Sequence, residues 1–335
     1  MSTNPSPSGS LSDAPPLWAR NAHLHTIVAS TLRRVPMPPL RTTWVDTPDG
    51  DRLAVDWFPP PDAKGAPAGP RALALLSHGL EGSSRRTYIL GMARALRDAG
   101  ISVAAWNGRG CGASPGLALR PHHAGAVEDL ERVLEHVAGH GPWDAVLHVG
   151  FSLGGNLGLL AAARWGASPP VPLAGVAAVS APCDLAACVD ALSQGFNRVY
   201  TEHFLRTLRA KMREKAARFP GALDPALLAG LRSLRAFDEH FVAPLAGFAG
   251  AADYYARCSS ATRLAELRQP ALIFNALDDP FLAGGAYPVE LAAAAPLVRL
   301  EMPIHGGHVG FLDRRGGSVA ERRVAAWVRE VVGGG

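Results

Sequence analysis

Short runs of apolar residues alternate along the chain with longer stretches whose apolar positions follow a helical spacing. The runs cover 72–77, 101–106, 145–150, 173–179, 271–275 and 297–302. Continuous apolar runs of this length are typical of strands buried on both faces. The helical stretches cover 87–98, 122–137, 154–165 and 318–332. The alternation predicts an α/β fold with a mostly parallel central sheet and helices on both of its faces.

An antiparallel hairpin is predicted ahead of the first buried run. Residues 43–45 lie between polar neighbours, Asp49-Gly50 has the composition of a tight turn, and 53–58 follow as a second strand. A two-residue turn of this type between alternating segments favours a hairpin. We therefore expect antiparallel strands within 41–58 to open the fold.

The alternation stops between 183 and 262, where two amphipathic patterns replace it. One has apolar residues at 204, 205, 208, 212 and 219, and the other at 227, 228, 231, 234, 237 and 241. Both spacings are helical. They predict a helical cap at 183–262 inserted into a core of 13–182 and 263–335, with 1–12 as a disordered tail. The aromatic residues Phe204, Phe219, Phe237, Phe241, Tyr254 and Tyr255 would give the cap an apolar roof over a pocket.

Composition and charge exclude several classes of protein. With 48% hydrophobic and 19% charged residues, the chain of 335 residues is neither disordered nor fibrous. Its net charge of +4 is spread over many segments, so nucleic acid is not an implied partner. The basic stretch 206–218 favours a solvated helix over a surface for anionic lipid.

The four cysteines have no metal-binding spacing, and no apolar segment is long enough for a leader or a membrane span. We interpret the cysteines as free thiols and expect a cytoplasmic protein.

The motif Gly150-Phe-Ser-Leu-Gly154 follows a buried strand and precedes a helix, which is the context of a nucleophilic serine. A sharp turn there strains the backbone of Ser152 and requires small neighbours. A second match, Gly112-Ala-Ser-Pro-Gly116, lies in a loop. Its Pro115 has no N–H to offer an oxyanion. Ser152 is therefore the candidate nucleophile, and Ser114 is interpreted as a loop residue.

A base and an acid are expected after the serine, in the order serine, acid, histidine. Two histidines follow the last predicted strand, and the glycine pair that precedes His308 favours it over His305. The acid should follow the strand before that, where Asp278 and Asp279 are adjacent. Neighbouring side chains on an extended segment point to opposite sides, so only one of them is expected to reach the histidine. Asp184 is a further candidate, although its position favours a helix N-cap.

Two backbone N–H groups are predicted to bind the oxyanion. One belongs to Leu153, directly after the serine, and the other to Leu80 in the glycine-bearing loop 78–83. His78 in that loop is interpreted as structural. The glycine-rich stretch 107–112 lacks the spacing of a dinucleotide site, and Cys111 within it has no base. No metal or organic cofactor is expected.

Six motifs in order resemble those of the α/β-hydrolase superfamily, in the YheT-like branch related to the ABHD-type lipases and esterases. They lie at 21–27, 78–83, 107–112, 150–156, 275–281 and 306–311. The resemblance implies a hydrolase of carboxylic esters with Ser152 as nucleophile, His308 as base and Asp279 as acid. His25 departs from the glutamine expected in the first motif.

We therefore expect a serine carboxylic-ester hydrolase, of esterase or lipase type, that acts through an acyl-enzyme on a small-molecule ester with an apolar acyl group. Two alternatives remain. The same residues would serve an acyltransferase that moves the acyl group to an alcohol. A non-catalytic ligand-binding protein could also use this fold.

Overall fold

The computed structural model describes residues 14–59, 71–282 and 284–334, and an eight-stranded sheet forms its centre. The predicted tail at 1–12 lies outside the described residues. The strands are β1 (Arg41–Asp46), β2 (Arg52–Trp57), β3 (Ala72–Ser77), β4 (Ser102–Trp106), β5 (Ala145–Phe151), β6 (Leu173–Val179), β7 (Ala271–Phe274) and β8 (Val298–Glu301).

The spatial order of the strands is β1-β2-β4-β3-β5-β6-β7-β8. Strand β2 runs antiparallel to both of its neighbours, and every pairing from β4 to β8 is parallel. The turn between β1 and β2 contains Gly50 at φ 81°, a conformation that glycine adopts without strain. The predicted mostly parallel sheet with an N-terminal antiparallel hairpin is confirmed.

Helices cover both faces of the sheet. They are α1 (Ala22–Thr31), α2 (Thr87–Asp98), α3 (Val127–Ala138), α4 (Leu153–Trp165), α5 (Leu185–Leu192), α6 (Arg198–Arg218), α7 (Pro225–Gly230), α8 (Leu234–Phe237), α9 (Ala243–Leu245), α10 (Ala251–Cys258), α11 (Val289–Ala293) and α12 (Val319–Gly333). Side chains alternate across β3, so that Leu75 packs with α3 and α4 whereas Leu76 packs with α2 and α12. The sheet thus separates two hydrophobic cores.

The segment between β6 and β7 contains α5 to α10. The first amphipathic pattern forms most of α6, as the sequence predicts. The second is not one helix, because α7 ends at Gly230, Leu231 is extended, and the Ser233 hydroxyl accepts a hydrogen bond from Ala236 N that begins α8. Residues 238–242 then form a π-helical turn. The boundaries 183 and 262 of a separate cap remain a prediction.

Helix α6 has the solvated basic face that its sequence favours only in part, since Arg206, Arg213 and Arg218 are exposed and the other basic residues of 206–218 are not. Lys211 forms an ion pair with Glu81 at 2.7 Å, and Lys215 is buried against backbone carbonyls of the loop 116–118. Arg218 also donates to carbonyls of that loop. The helix therefore buries some of its cations, among them Lys215, and leaves others in solvent. Over the described ranges, no helix has both the length and the apolar character to cross a bilayer.

Candidate active site

The turn between β5 and α4 holds Ser152 in a strained conformation. Its φ is 51° and its ψ is −123°, a backbone conformation that residues other than glycine rarely adopt. A Cβ on Gly150 would lie 2.2 Å from the Gly154 carbonyl oxygen, and a Cβ on Gly154 would lie 2.6 Å from the His78 carbonyl oxygen. The strained serine and the need for glycine beside it agree with the prediction from the motif.

The Ser152 hydroxyl lies at one end of a hydrogen-bonded chain of three side chains. His308 Nε2 is 2.9 Å from Ser152 Oγ, and His308 Nδ1 is 2.9 Å from Asp279 Oδ2. Because the carboxylate accepts, Nδ1 carries the proton, and the Nε2 lone pair faces the serine. Asp279 and His308 are both buried, at 3% and 7% exposed. An imidazole in this position can take the hydroxyl proton.

The neighbouring Asp278 serves a different purpose. Its Oδ1 accepts hydrogen bonds from Gly306 N at 2.8 Å and Gly307 N at 2.9 Å, and its Oδ2 lies 3.0 Å from His305 Nδ1. Asp278 therefore holds the loop that carries His308. Asp184 accepts a hydrogen bond from Ala187 N at 3.0 Å and caps α5, which is the role that its position favours.

The N-terminal helix α1 supports His308, a role that the sequence did not reveal. Thr26 Oγ1 accepts a hydrogen bond from His308 N at 2.9 Å. Gly307, at φ 55°, approaches so closely that a Cβ there would lie 2.7 Å from Thr26 Oγ1. On the other side, the Phe281 ring stacks on the imidazole with a centroid distance of 4.0 Å. The only sequence signal was that 21–27 belongs to the resembling motifs.

His25 in the same helix is fully buried, and its Nε2 accepts a hydrogen bond from Leu312 N at 2.7 Å. Burial lowers the pKa of its imidazole, which favours the neutral form that accepts this bond. The departure from the expected glutamine thus fixes the far end of the loop that carries His308.

Leu80 and Leu153 line the same cavity as Ser152. Over the described residues, neither backbone N–H donates to a protein acceptor. The loop of Leu80 is fixed by its neighbours, since Gly79 N donates to Tyr88 Oη at 3.2 Å and a Cβ on Gly79 would lie 2.9 Å from Ser152 Cβ. Leu153 begins α4, where backbone N–H groups are free and favour negative charge. Their arrangement is compatible with an oxyanion site.

Comparisons with known proteins show the family of the chain. The model of the alpha/beta hydrolase fold matches residues 75–315. YheT of Escherichia coli (strain K12), described by name as a candidate esterase, is 35% identical over 92% of this chain and 90% of its own. The phospholipase ABHD3 of Mus musculus is 31% identical over 89% of this chain and 73% of its own. The chain belongs to the α/β-hydrolase superfamily, in its YheT/ABHD-type branch.

Solved structures share the fold of this α/β-hydrolase at low sequence identity. The esterase Pf2001 of Pyrococcus furiosus has a TM-score of 0.57 at 15% identity, covering 90% of this chain and 98% of its own. Est1E of Butyrivibrio proteoclasticus has the same TM-score of 0.57 at 16% identity, covering 87% and 99%. At such identities the likeness is one of fold alone.

The residues of this α/β-hydrolase that the sequence analysis weighed against the catalytic candidates have structural roles. Ser114 Oγ donates to the Asn107 carbonyl at 2.7 Å and accepts from Ala54 N at 2.8 Å, so it is a buried loop residue. His78 Nε2 accepts from Gly108 N at 3.0 Å, and burial lowers the pKa of His78 to about 4. Burial raises the pKa of the Cys111 thiol to about 11, which disfavours the thiolate.

A cavity of about 160 Å³ opens beside Ser152. Residues of α5, α6 and α8 supply much of its apolar wall, which includes Leu185, Val189, Leu192, Phe204, Leu234 and Phe237. Four of the six aromatic residues expected in the roof, Phe204, Phe237, Tyr254 and Tyr255, line the cavity. Phe241 is 1% exposed and belongs to the hydrophobic core instead.

Proposed function

We propose that this α/β-hydrolase hydrolyses carboxylic esters through an acyl-enzyme on Ser152. The observation that carries the proposal is the continuous contact from Ser152 Oγ to His308 and on to Asp279, with both joining distances at 2.9 Å. Relatives named as esterases and phospholipases support hydrolysis of an ester bond.

In the first step, Ser152 Oγ forms a bond to the ester carbonyl carbon while its proton moves to His308 Nε2. The Leu80 and Leu153 N–H groups donate to the oxygen that becomes negative. One such donor contributes roughly 3 kcal/mol to transition-state stabilisation in comparable sites. The carbon–oxygen bond to the alcohol then breaks, and the imidazolium returns its proton to the departing alkoxide.

In the second step, water attacks the acyl-enzyme. Its proton goes to His308 Nε2, its oxygen bonds to the acyl carbon, and the Ser152 oxygen leaves with the proton that the imidazolium gives back. Asp279 stabilises the imidazolium in both steps without being protonated. The carboxylic acid is released, and the reaction as written requires no cofactor.

The acyl group fits the apolar wall formed by α5, α6 and α8. Leu185, Val189 and Phe237 offer hydrocarbon surface and no charge. Burying each methylene of an acyl chain contributes about 0.8 kcal/mol, so such a wall favours an aliphatic acyl chain over a short polar one. We infer that the substrate is an apolar acyl ester.

The proposal is tested by labelling with a fluorophosphonate probe and by hydrolysis of p-nitrophenyl octanoate. The wild-type protein should be labelled at Ser152, and Ser152→Ala should lose both labelling and hydrolysis, by roughly a millionfold for the latter. Ser114→Ala removes the serine of the second motif and is the matched control, which should keep both. An unlabelled wild-type protein would favour the non-catalytic binding protein instead.

An acyltransferase is the second candidate, because one relative is named a medium-chain fatty acid ethyl ester synthase/esterase. This Saccharomyces cerevisiae protein is 27% identical over 76% of the present chain and 61% of its own. The same acyl-enzyme would then pass its acyl group to an alcohol. Octanoyl-enzyme supplied with ethanol separates the two, since ethyl octanoate accumulates faster than octanoate only in an acyltransferase.

A further inference from the structure

The loop that carries the Leu80 N–H makes a tight turn with an unusual residue at its third position. The turn covers 79–82 and is closed by a hydrogen bond from Gly82 N to the Gly79 carbonyl at 3.0 Å. Glu81, its third residue, has a φ of 55°. A positive φ at this position of a turn favours glycine or asparagine, and a longer side chain is strained there. A glutamate therefore occupies a position whose backbone conformation favours glycine.

The side chain of Glu81 reaches across to helix α6. Its Oε1 lies 2.7 Å from Lys211 Nζ, and the glutamate side chain is only 9% exposed. The second carboxylate oxygen, Oε2, is buried and has no hydrogen-bond partner among the residues that the structure describes. A buried carboxylate is unfavourable unless a cation pairs with it. The contact with Lys211 therefore offsets the burial of the Glu81 charge.

Lys211 belongs to a helix that faces the cavity beside the nucleophile. Helix α6 contributes Phe204 and Leu208 to the cavity wall, and Lys211 lies on the same wall. Lys211 Nζ also lies 3.3 Å from Cys111 Sγ in a neighbouring loop. The ion pair with the glutamate thus joins the helix that lines the cavity to the turn that presents the Leu80 N–H.

The remaining contacts of the turn act on its backbone. Arg86 Nη2 donates to the Glu81 carbonyl at 3.1 Å. The hydrogen bond that closes the turn does not determine the sign of φ, because turns with a negative φ at the third residue are closed by the same bond. The two kinds of turn differ by a rotation of the central peptide, between Leu80 and Glu81. The pairing of the Glu81 side chain with Lys211 is a contact that resists this rotation.

We propose that Lys211 is a positioning residue for the oxyanion site. It holds Glu81 in the left-handed conformation and thereby sets the orientation of the backbone at Leu80, whose N–H donates to the oxyanion. Strain of this kind persists where neighbouring contacts over-determine it, and the ion pair is such a contact. The inference rests on the proposed ester hydrolysis and adds to it a residue on the helix that lines the cavity.

Two other roles for Lys211 predict different results. If Lys211 only fastens α6 to the turn, its loss lowers Tm and leaves the kcat of the folded protein unchanged. If its charge acts directly on the substrate, its loss matters whatever residue occupies position 81. If it acts through Glu81, its loss matters only while that residue needs support. Glycine adopts a positive φ without strain, so Glu81→Gly supplies the background that separates these roles.

The test measures hydrolysis of p-nitrophenyl octanoate. Lys211→Gln and Glu81→Gln should each lower kcat about tenfold with KM little changed, because a misplaced donor affects the transition state more than the bound ester. Glu81→Gly should lose clearly less than Glu81→Gln, and adding Lys211→Gln to it should change kcat less than twofold. Equal losses from Lys211→Gln in both backgrounds, or equal losses in the two Glu81 variants, would overturn the proposal.

Two control variants on α6 complete the series. Lys211→Arg keeps the charge and should keep kcat within about threefold of the wild type. Arg213→Gln makes the same charge change as Lys211→Gln at an exposed position that does not line the cavity, and its kcat should be unchanged. Thermal unfolding of every variant shows that the proteins compared are folded. A lower Tm for Lys211→Gln with an unchanged kcat would overturn the positioning role.

An alkyl trifluoromethyl ketone links the effect to the oxyanion, because its adduct with Ser152 carries a negative oxygen like that of the transition state. Its Ki for Lys211→Gln should rise by the same factor as kcat/KM falls, and an unchanged Ki would overturn the link. Fluorophosphonate labelling separates this inference from the proposed function. A labelled, active wild-type protein that Lys211→Gln matches in kcat removes this inference alone. An unlabelled, inactive wild-type protein removes the proposed function and this inference with it.

Discussion

The carboxylates of Asp278 and Asp279 hold two different parts of the same loop. Asp279 contacts the imidazole of His308. Asp278 accepts hydrogen bonds from the backbone N–H groups of Gly306 and Gly307, the two residues before His308. One aspartate thus acts on the side chain, and the other on the backbone that carries it. Adjacent residues in the sequence consequently have separable roles.

Substituting each aspartate by asparagine should separate them. Asp279→Asn should lower kcat roughly 10⁴-fold, because the amide does not stabilise the imidazolium and favours the wrong tautomer. Asp278→Asn keeps an acceptor oxygen for the loop and should cause a far smaller loss, with its main effect on the free energy of unfolding. Steady-state kinetics and urea unfolding measure both. Equal losses of kcat would contradict the assignment of Asp279.

Thr26→Val should weaken the support of His308 with little change in side-chain volume. Thr26 is 5% exposed, and the substitution leaves His308 N without its acceptor. An unpaired buried N–H costs about 1–3 kcal/mol, so the free energy of unfolding should fall by that amount and kcat should fall with KM little changed. Thr31→Val, at the exposed end of the same helix, is the control. It should stay within about 0.5 kcal/mol of the wild type.

Gly150→Ala should be strongly destabilising, because the added Cβ would lie 2.2 Å from the Gly154 carbonyl oxygen. Overpacking against backbone cannot be relieved by a side-chain rotation, and a loss of about 3 kcal/mol or more is expected. Gly230→Ala, where nothing lies within 4 Å of the added atom, should change stability by no more than about 1 kcal/mol. Thermal unfolding measures the stability of both variants. If Gly150→Ala lost as little stability as Gly230→Ala, the turn would tolerate a side chain.

Acid should destabilise the fold through buried histidines. Burial lowers the pKa of His78 to about 4 and that of His123 and His148 to about 3, while an unfolded chain titrates near 6.5. Between these values the unfolded chain binds more protons, so the free energy of unfolding falls as the pH is lowered. The slope should approach 1.4 kcal/mol per pH unit for each histidine.

Urea unfolding at pH 6.5, 5.5 and 4.5 measures this slope. His148→Gln, which keeps a hydrogen-bonding group near Ser77, should lose about one histidine's share of it. A slope that the variant leaves unchanged would mean that His148 does not remain neutral in the folded protein.

The sheet was the most predictable part of the fold. Strands β3 and β6 have the predicted bounds. A run of apolar residues that is closed by polar or turn-forming residues leaves little choice of where the strand begins and ends. Helix α3 begins at Val127 and not at the predicted 122, since 123–126 form a turn closed by the hydrogen bond from Ala126 N to the His123 carbonyl. The periodic pattern alone could not distinguish that turn from a first helical turn.

Two features of the site escaped the sequence for physical reasons. The contact of Thr26 with His308 joins residues 282 positions apart, and no local pattern reports a contact of that kind. The inward turn of Lys215 was missed because a basic helix is normally solvated, whereas here the carbonyls of a distant loop accept its donors. The candidate partners of Ser152 could be selected from the sequence, because the order of residues along the chain and the spacing of glycines leave few candidates.

The support of His308 by α1 has a consequence for synthesis on the ribosome. The threonine is translated 282 positions before the imidazole that it positions. A nascent chain therefore has the serine in its turn, but not the group that would ionise it. Any reactivity that depends on that pair begins only after His308 has been translated.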